Sequence, residues 1–359
     1  ICARRCRECG APTYTRIFRK WNPDGTVTGR FSKGTRICHI EAGEVLALVA
    51  GIGERIGHPI DRIVIEGERK ASRCIINETF AAGRGFLGLL CRSRGGCPVA
   101  LGISLDISRS VGQGYPEVVE YRRGSLLKLR MKNPFCVPVV VGNLWGMFEA
   151  LHSVTADASW EVDGETLRIE FAKLREGMIE EYPDRLALKK MAIIAGQVEY
   201  DRCPRCGVPK EVTKAIEWDL EEGIVRNKAT GRREVTIMVE SINAVIRELE
   251  CELGDKIPSM VQSAEQEYIA GVVPDSEATG TEEKYRELLS ELRVFGMGNP
   301  AEVKKEGGRL KVRIDNPFCE PLLAGRVAGC YMALEGVKPA VKWTPDVEGY
   351  TVIEVSPGR

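Results

Sequence analysis

Residues 133–146 read NPFCVPVVVGNLWG, and residues 316–329 read NPFCEPLLAGRVAG, 183 positions later in the same chain. The prolines fix the local meaning of this run. A residue that precedes proline is pushed out of the helical region, so Asn133 and Asn316 end whatever strand leads into them. Pro138 and Pro321 suit the first helical turn, where a missing amide hydrogen costs little. Strand, sharp corner and helix are thus written into each copy. The helix after the first corner is apolar almost all round, through Val139, Leu144, Trp145, Met147, Phe148 and Leu151, which predicts deep burial. Gly142 and Gly146, like Gly325 and Gly329, lie four apart and leave a flat face for another backbone or a flat ligand. Cys136 and Cys319 fall at the helix N-terminus, where the dipole favours a thiolate. A nucleophile there needs a base, and neither corner offers one in sequence; the chain's three histidines, His39, His58 and His152, all belong to the first copy. The two thiols are therefore read as buried pocket wall.

Outward from the corners, the repetition extends over most of the chain. CRECGAP at 6–12 matches CPRCGVP at 203–209 with an offset of 197, and the register continues through Trp21 and Trp218, Arg36 and Arg233, and Gly57 and Gly254. Beyond the middle of each copy the offset is 183, so the first copy carries 14 extra residues, placed in the Gly- and Cys-rich run at 81–102. This predicts repeat 1 over 1–171 (knuckle 1–36, ligand-binding-like domain 37–171), a charged linker at 172–197, and repeat 2 over 198–359 (knuckle 198–233, domain 234–359). In each, a CxxC knuckle leads into short strands, then a helix over 42–56 in the first copy with apolar residues at helical spacing. A second helix starts near Pro59 or Pro258, and a glycine turn, an alternating strand, the Asn-Pro corner, the buried helix and a closing strand follow. Helices and strands without regular alternation give an α+β class, with antiparallel sheets packed against helices.

CxxC followed by glycine is a metal-knuckle pattern, since two thiolates on a tight turn chelate one tetrahedral ion. A closed structural zinc site needs four ligands, and each copy supplies one such pair. The sharpest reading is one structural Zn2+ held by Cys6, Cys9, Cys203 and Cys206 across the two copies. A local alternative recruits Cys2, Cys38 or His39, but the second copy has Thr236 where the first has His39. Cys38, Cys74, Cys91 and Cys97 leave open a second metal site in the first copy, set against the simpler reading of buried small side chains.

Composition bounds the function. The 51 acidic and 51 basic residues cancel, so no global field draws the chain to nucleic acid or an anionic membrane. Nine Arg or Lys face two acidic residues over 1–36, yet the matching region of the second copy is nearly balanced, which reads as a solvated face and argues against nucleic-acid binding. No run is long and apolar enough to span a bilayer. Thirteen cysteines, an odd number in a long chain, are read as mostly reduced, with cytoplasmic localisation as the expectation.

The order of a helix after "GTRICHIEAGEVLALVAGIGERIG", a second helix, an edge strand, "NPF" with a Gly-xxx-Gly helix, and a final strand resembles the vinyl-reductase-like, hydrocarbon-binding domain superfamily. That resemblance implies an α+β module holding an apolar or aromatic small molecule in a buried pocket, often in a dimer, which extends to this chain as a possible homo-oligomer. Pocket candidates on this basis are Cys136, Gly142, Trp145, Gly146 and Phe148, with Cys319, Gly325 and Gly329 in the second copy. Some members carry a cysteine-rich zinc site near the domain's C-terminal end; here no cysteine follows Trp160 or Trp343 in its copy's closing strand, so that site does not transfer. The expected function is a zinc-containing small-molecule binding protein; the alternative is an enzyme or a cofactor- or metal-handling protein of anaerobic metabolism that uses the first copy's cysteines.

Overall fold

The computed structural model describes residues 5–30, 34–82, 93, 95–174, 191–273, 280–345 and 348–358. Its class is α+β, with antiparallel sheets packed against helices. One six-stranded sheet joins the halves in the order β1-β2-β3-β10-β9-β8. Its first three strands are Arg19–Trp21 (β1), Val27–Gly29 (β2) and Arg36–Glu41 (β3); the other three are Ile216–Asp219 (β8), Ile224–Asn227 (β9) and Arg233–Met238 (β10). At its centre β3 and β10 run antiparallel with His39 opposite Thr236. These two positions match each other at the sequence offset of 197, so matching residues of the two halves pair with each other here.

Two further sheets, one per half, flank this seam. Tyr115–Arg122 (β4), Leu126–Lys132 (β5), Ala156–Asp163 (β6) and Thr166–Lys173 (β7) pair in the order β4-β5-β7-β6. Asn299–Glu306 (β11), Arg309–Asp315 (β12), Pro339–Trp343 (β13) and Tyr350–Pro357 (β14) pair as β11-β12-β14-β13. The strands β4, β6, β11 and β13 were not expected from sequence. They are edge strands whose outer positions are largely polar or exposed, so no clean alternation marks them. Between the first knuckle and its short strands, where no helix was expected, TYTRIF forms a short helix, Thr13–Phe18 (α1). Pro12 immediately precedes it, with φ near the value a helix needs.

Helices Ala42–Ile56 (α2) and Asp61–Ala82 (α3) of the first half match Val239–Leu253 (α7) and Ile257–Val272 (α8) of the second. They cross over in packing: α2 lies on α8, and α3 lies on α7. The corner helices Val137–His152 (α5) and Glu320–Glu335 (α11) pack within their own halves, against α3 and α8 respectively. The glycine faces make these contacts close. A Cβ on Gly142 or Gly146 would collide with the carbonyl oxygens of Ile65 or Arg69, and one on Gly325 or Gly329 would lie 2.5 or 2.8 Å from those of Gln262 or Gln266. Backbone, then, covers the flat faces.

Candidate metal centre

Each CxxC knuckle is shaped by its own main chain. The Cys6 amide donates to the Ala11 carbonyl (2.8 Å) and Gly10 donates to the Cys6 carbonyl (2.9 Å), and in the other copy Cys203 donates to Val208 (2.9 Å) and Gly207 to Cys203 (2.8 Å). Gly10 and Gly207 both hold φ of 74°, a left-handed turn that glycine adopts without steric cost. The knuckles are tied crosswise to the opposite half: Arg5 donates to the Trp218 carbonyl, and Arg202 to the Trp21 carbonyl (3.1 Å).

The result is that Cys6, Cys9, Cys203 and Cys206 converge, with their four Sγ atoms all within 4.8 Å of one another. A tetrahedral ion with metal–sulfur bonds near 2.3 Å needs sulfurs about 3.8 Å apart, so the cluster has the dimensions of a tetrathiolate site. Cys9 and Cys206 approach to 3.3 Å, far beyond disulfide length, and all four are free thiols. Burial works against a thiolate at Cys6, but main-chain hydrogen bonds at Cys9 and Glu8 and the neighbouring thiols outweigh it and bring the group down to about 7. Burial raises Cys9, and raises Cys206 further. Four mutually close thiols resist full ionisation until a cation compensates them, which is the electrostatic demand of a metal site.

The local alternative does not assemble among the described residues. His39 is buried against Arg19, which donates to its ring and to Thr236 Oγ1 (2.8 Å); burial and then that guanidinium hold the imidazole well below its ordinary range. Cys38 is fully buried and its thiol is pushed up by desolvation. Cys2 and Cys91 lie outside the described residues, as does half of the run at 81–102.

The remaining candidates do not gather around one cavity. Trp145 is core: its Nε1 donates to the Ala156 carbonyl (3.1 Å), and the Arg69 guanidinium lies 4.1 Å from its ring centroid. Phe148 stacks on Phe171 at 5.9 Å. Gly142, Gly146, Gly325 and Gly329 sit in the helix contacts above. Cys319 is fully buried, its thiol raised well above the ordinary value by burial. Cys136 is raised to about 11 by burial, and it lines an open groove of about 580 Å³ with Val49, Gly53, His58 and Pro138.

The structure also shows a pairing that sequence spacing concealed. Cys97, on the helix Gly96–Ser110 (α4), has its Sγ 3.3 Å from His152 Nδ1, and the Tyr121 hydroxyl donates to the same sulfur (3.4 Å). Burial, then Arg123, lowers His152 to about 4, so its imidazole stays neutral near pH 7 and is a weak base beside the thiol. The thiol is only 1% exposed. At the matching place in the second half stand Lys305 and Glu335, an ion pair at 2.5 Å.

No known family model matches this chain. Nor does any curated protein. Among the described residues, no helix is long and apolar enough to cross a membrane.

Proposed function

We propose that this chain is a non-catalytic binding module whose two halves are stapled by one structural zinc ion, and that it holds an apolar or aromatic small molecule at the seam so formed. The observation that carries the reading is the convergence of two thiols from each copy into a single cluster. An all-thiolate set of four leaves no open coordination position for substrate, which is the pattern of a structural rather than a catalytic zinc. Between the halves, α2, α3 and α7 help to enclose an apolar cavity lined by residues such as Val45, Val49, Val64, Ile242 and Ile246, with Glu68 as the charged residue among its lining. Its volume of about 50 Å³ is below the roughly 300 Å³ of ordinary ligand pockets, so uptake requires the helices around it to move apart.

Metal analysis of the purified chain tests the staple: one zinc per chain, lost as fully in Cys203→Ser as in Cys6→Ser, is the expected result, and two per chain would overturn it. Native mass spectrometry tests the ligand, which would appear as added mass released on denaturation. The Cys97–His152 contact favours a second reading, thiol chemistry or cofactor handling in the first half. Charge-transfer bands or a tetrapyrrole spectrum abolished by Cys97→Ala would support that reading over the first.

A further inference from the structure

The fold builds the seam between its halves twice, and the two seams are filled differently. In one, residues 191–200 run as an extended strap along the second half. Ile194 N–H donates to Asn316 Oδ1 (2.8 Å) while Asn316 Nδ2 donates back to the Ile194 carbonyl (2.9 Å) and also to the Asp24 carbonyl (2.9 Å). This is a side-chain amide paired with a peptide unit on both of its hydrogen-bonding groups. Farther along, Val198 N–H donates to the Pro23 carbonyl (2.7 Å). Gly196 passes so close that a Cβ there would lie 2.6 Å from that same oxygen.

The other seam has the same parts. Asn133 matches Asn316 and holds nearly the same left-handed φ, 52° against 53°. Its main-chain N–H donates to Glu165 (2.9 Å) as that of Asn316 donates to Gly349 (2.7 Å). Among the described residues, no peptide unit pairs with the Asn133 side-chain amide as Ile194 pairs with that of Asn316. Nδ2 donates to the Glu222 carbonyl (3.2 Å) and to that residue's own carboxylate (2.9 Å), which stands where the Ile194 carbonyl stands in the first seam. Asn133 Oδ1 has no hydrogen-bond partner among the described residues. Beside it is a cavity of about 490 Å³ lined by Arg109, Tyr115, Lys132, Glu217, Trp218 and Asp219. Trp218 is 4% exposed and its indole N–H has no partner among the described residues, whereas the matching Trp21 donates to the Val294 carbonyl (3.0 Å).

We infer that this second seam is a binding site for an extended peptide segment with the chemistry of residues 191–197: a main chain paired to the Asn133 amide, with a glycine two residues on. The mixed charges of the lining select no ligand of one sign, and recognition rests on main-chain hydrogen bonds, as in other extended-peptide sites. Positions matching 198–201 are 1–4, outside the described residues, so the site is confined to the Asn133 end. The inference is independent of the zinc and of the apolar ligand.

The test uses the full metal-loaded chain and an acetylated, amidated peptide of residues 191–197, fluorine-labelled and titrated by 19F NMR. Saturable binding is expected, weakened about tenfold by Asn133→Gly, which keeps the left-handed backbone but removes the amide. Glu222→Ala should bind at least as tightly as the natural chain, because it frees Nδ2. A peptide with valine in place of its glycine should not bind, a control that needs no protein variant. Absence of saturable binding, or binding that Asn316→Gly weakens and Asn133→Gly does not, would overturn the inference.

Discussion

At Glu68 the fold holds a carboxyl where water cannot reach it. Burial raises the group to about 7 from an ordinary 4.5, although the Ser241 hydroxyl donates to it at 2.6 Å and so favours the ionised form. The unfolded chain ionises first, so stability is full below 4.5 and falls as pH rises through about 7. The loss amounts to at most about 3 kcal/mol. Glu68→Gln should therefore melt higher than the natural chain at pH 8 and no higher at pH 4, as differential scanning calorimetry would show. Glycine gives a second contrast at this scale. Gly146 meets the Arg69 carbonyl oxygen, whereas a Cβ on Gly102, in α4, meets nothing within 4 Å. Gly102→Ala should stabilise by about 0.5–1 kcal/mol through helix propensity, and Gly146→Ala should destabilise by about 1–3 kcal/mol, both read from urea denaturation.

Among the elements, the Asn-Pro corner and the strand β3 are partners across the seam. Arg36 donates to the carbonyls of Pro317 (2.9 Å) and Asn316 (2.6 Å), and its own amide donates to Glu240 (2.9 Å). Arg233 repeats the theme, donating to the carbonyls of Asn133 (2.6 Å) and Gly112 (2.9 Å). Both arginines and both corners were visible in the sequence as matching positions. Their pairing was not, because each bond joins residues 100 or more positions apart and no local pattern encodes a partner at that distance. Arg36→Ala keeps the amide bond to Glu240 but strands the two buried carbonyls of Asn316 and Pro317, and should cost about 2–3 kcal/mol. Arg36→Lys should recover little of it, since an ammonium lacks the planar fork that reaches two carbonyls. Chemical denaturation of the two variants checks both.

Across the whole molecule, the halves are joined by the β3–β10 pairing, the exchange of α2 and α7, the arginine contacts across the seam and the thiol cluster. Removing an ion held by the thiol cluster, the proposed staple, should therefore lower the melting temperature without separating the halves, because the sheet and helix contacts remain. Near-native far-ultraviolet circular dichroism with a reduced melting temperature is the expected outcome, and complete unfolding on chelation would show that the metal carries the fold alone.

The sequence by itself determined what depends on neighbours along the chain. It set the α+β class, the helix over 42–56, the strand-corner-helix of each NPFC run, and the two CxxC turns, because proline, glycine and apolar spacing act through local sterics and burial. It also placed Cys6, Cys9, Cys203 and Cys206 in one set, since neither knuckle has ligands enough alone, and the structure brings their sulfurs together. Only the tertiary structure decided which surfaces are filled. The Gly-xxx-Gly faces read equally well as helix contacts or ligand platforms until α3 and α8 are seen lying on them. Cys97 and His152 are 55 positions apart, so their contact exists only once α4 and α5 are docked. And whether Asn133 grips a peptide unit or a stand-in carboxylate depends on which chain passes the seam, a matter of three-dimensional occupancy that the residue's own sequence neighbours do not encode.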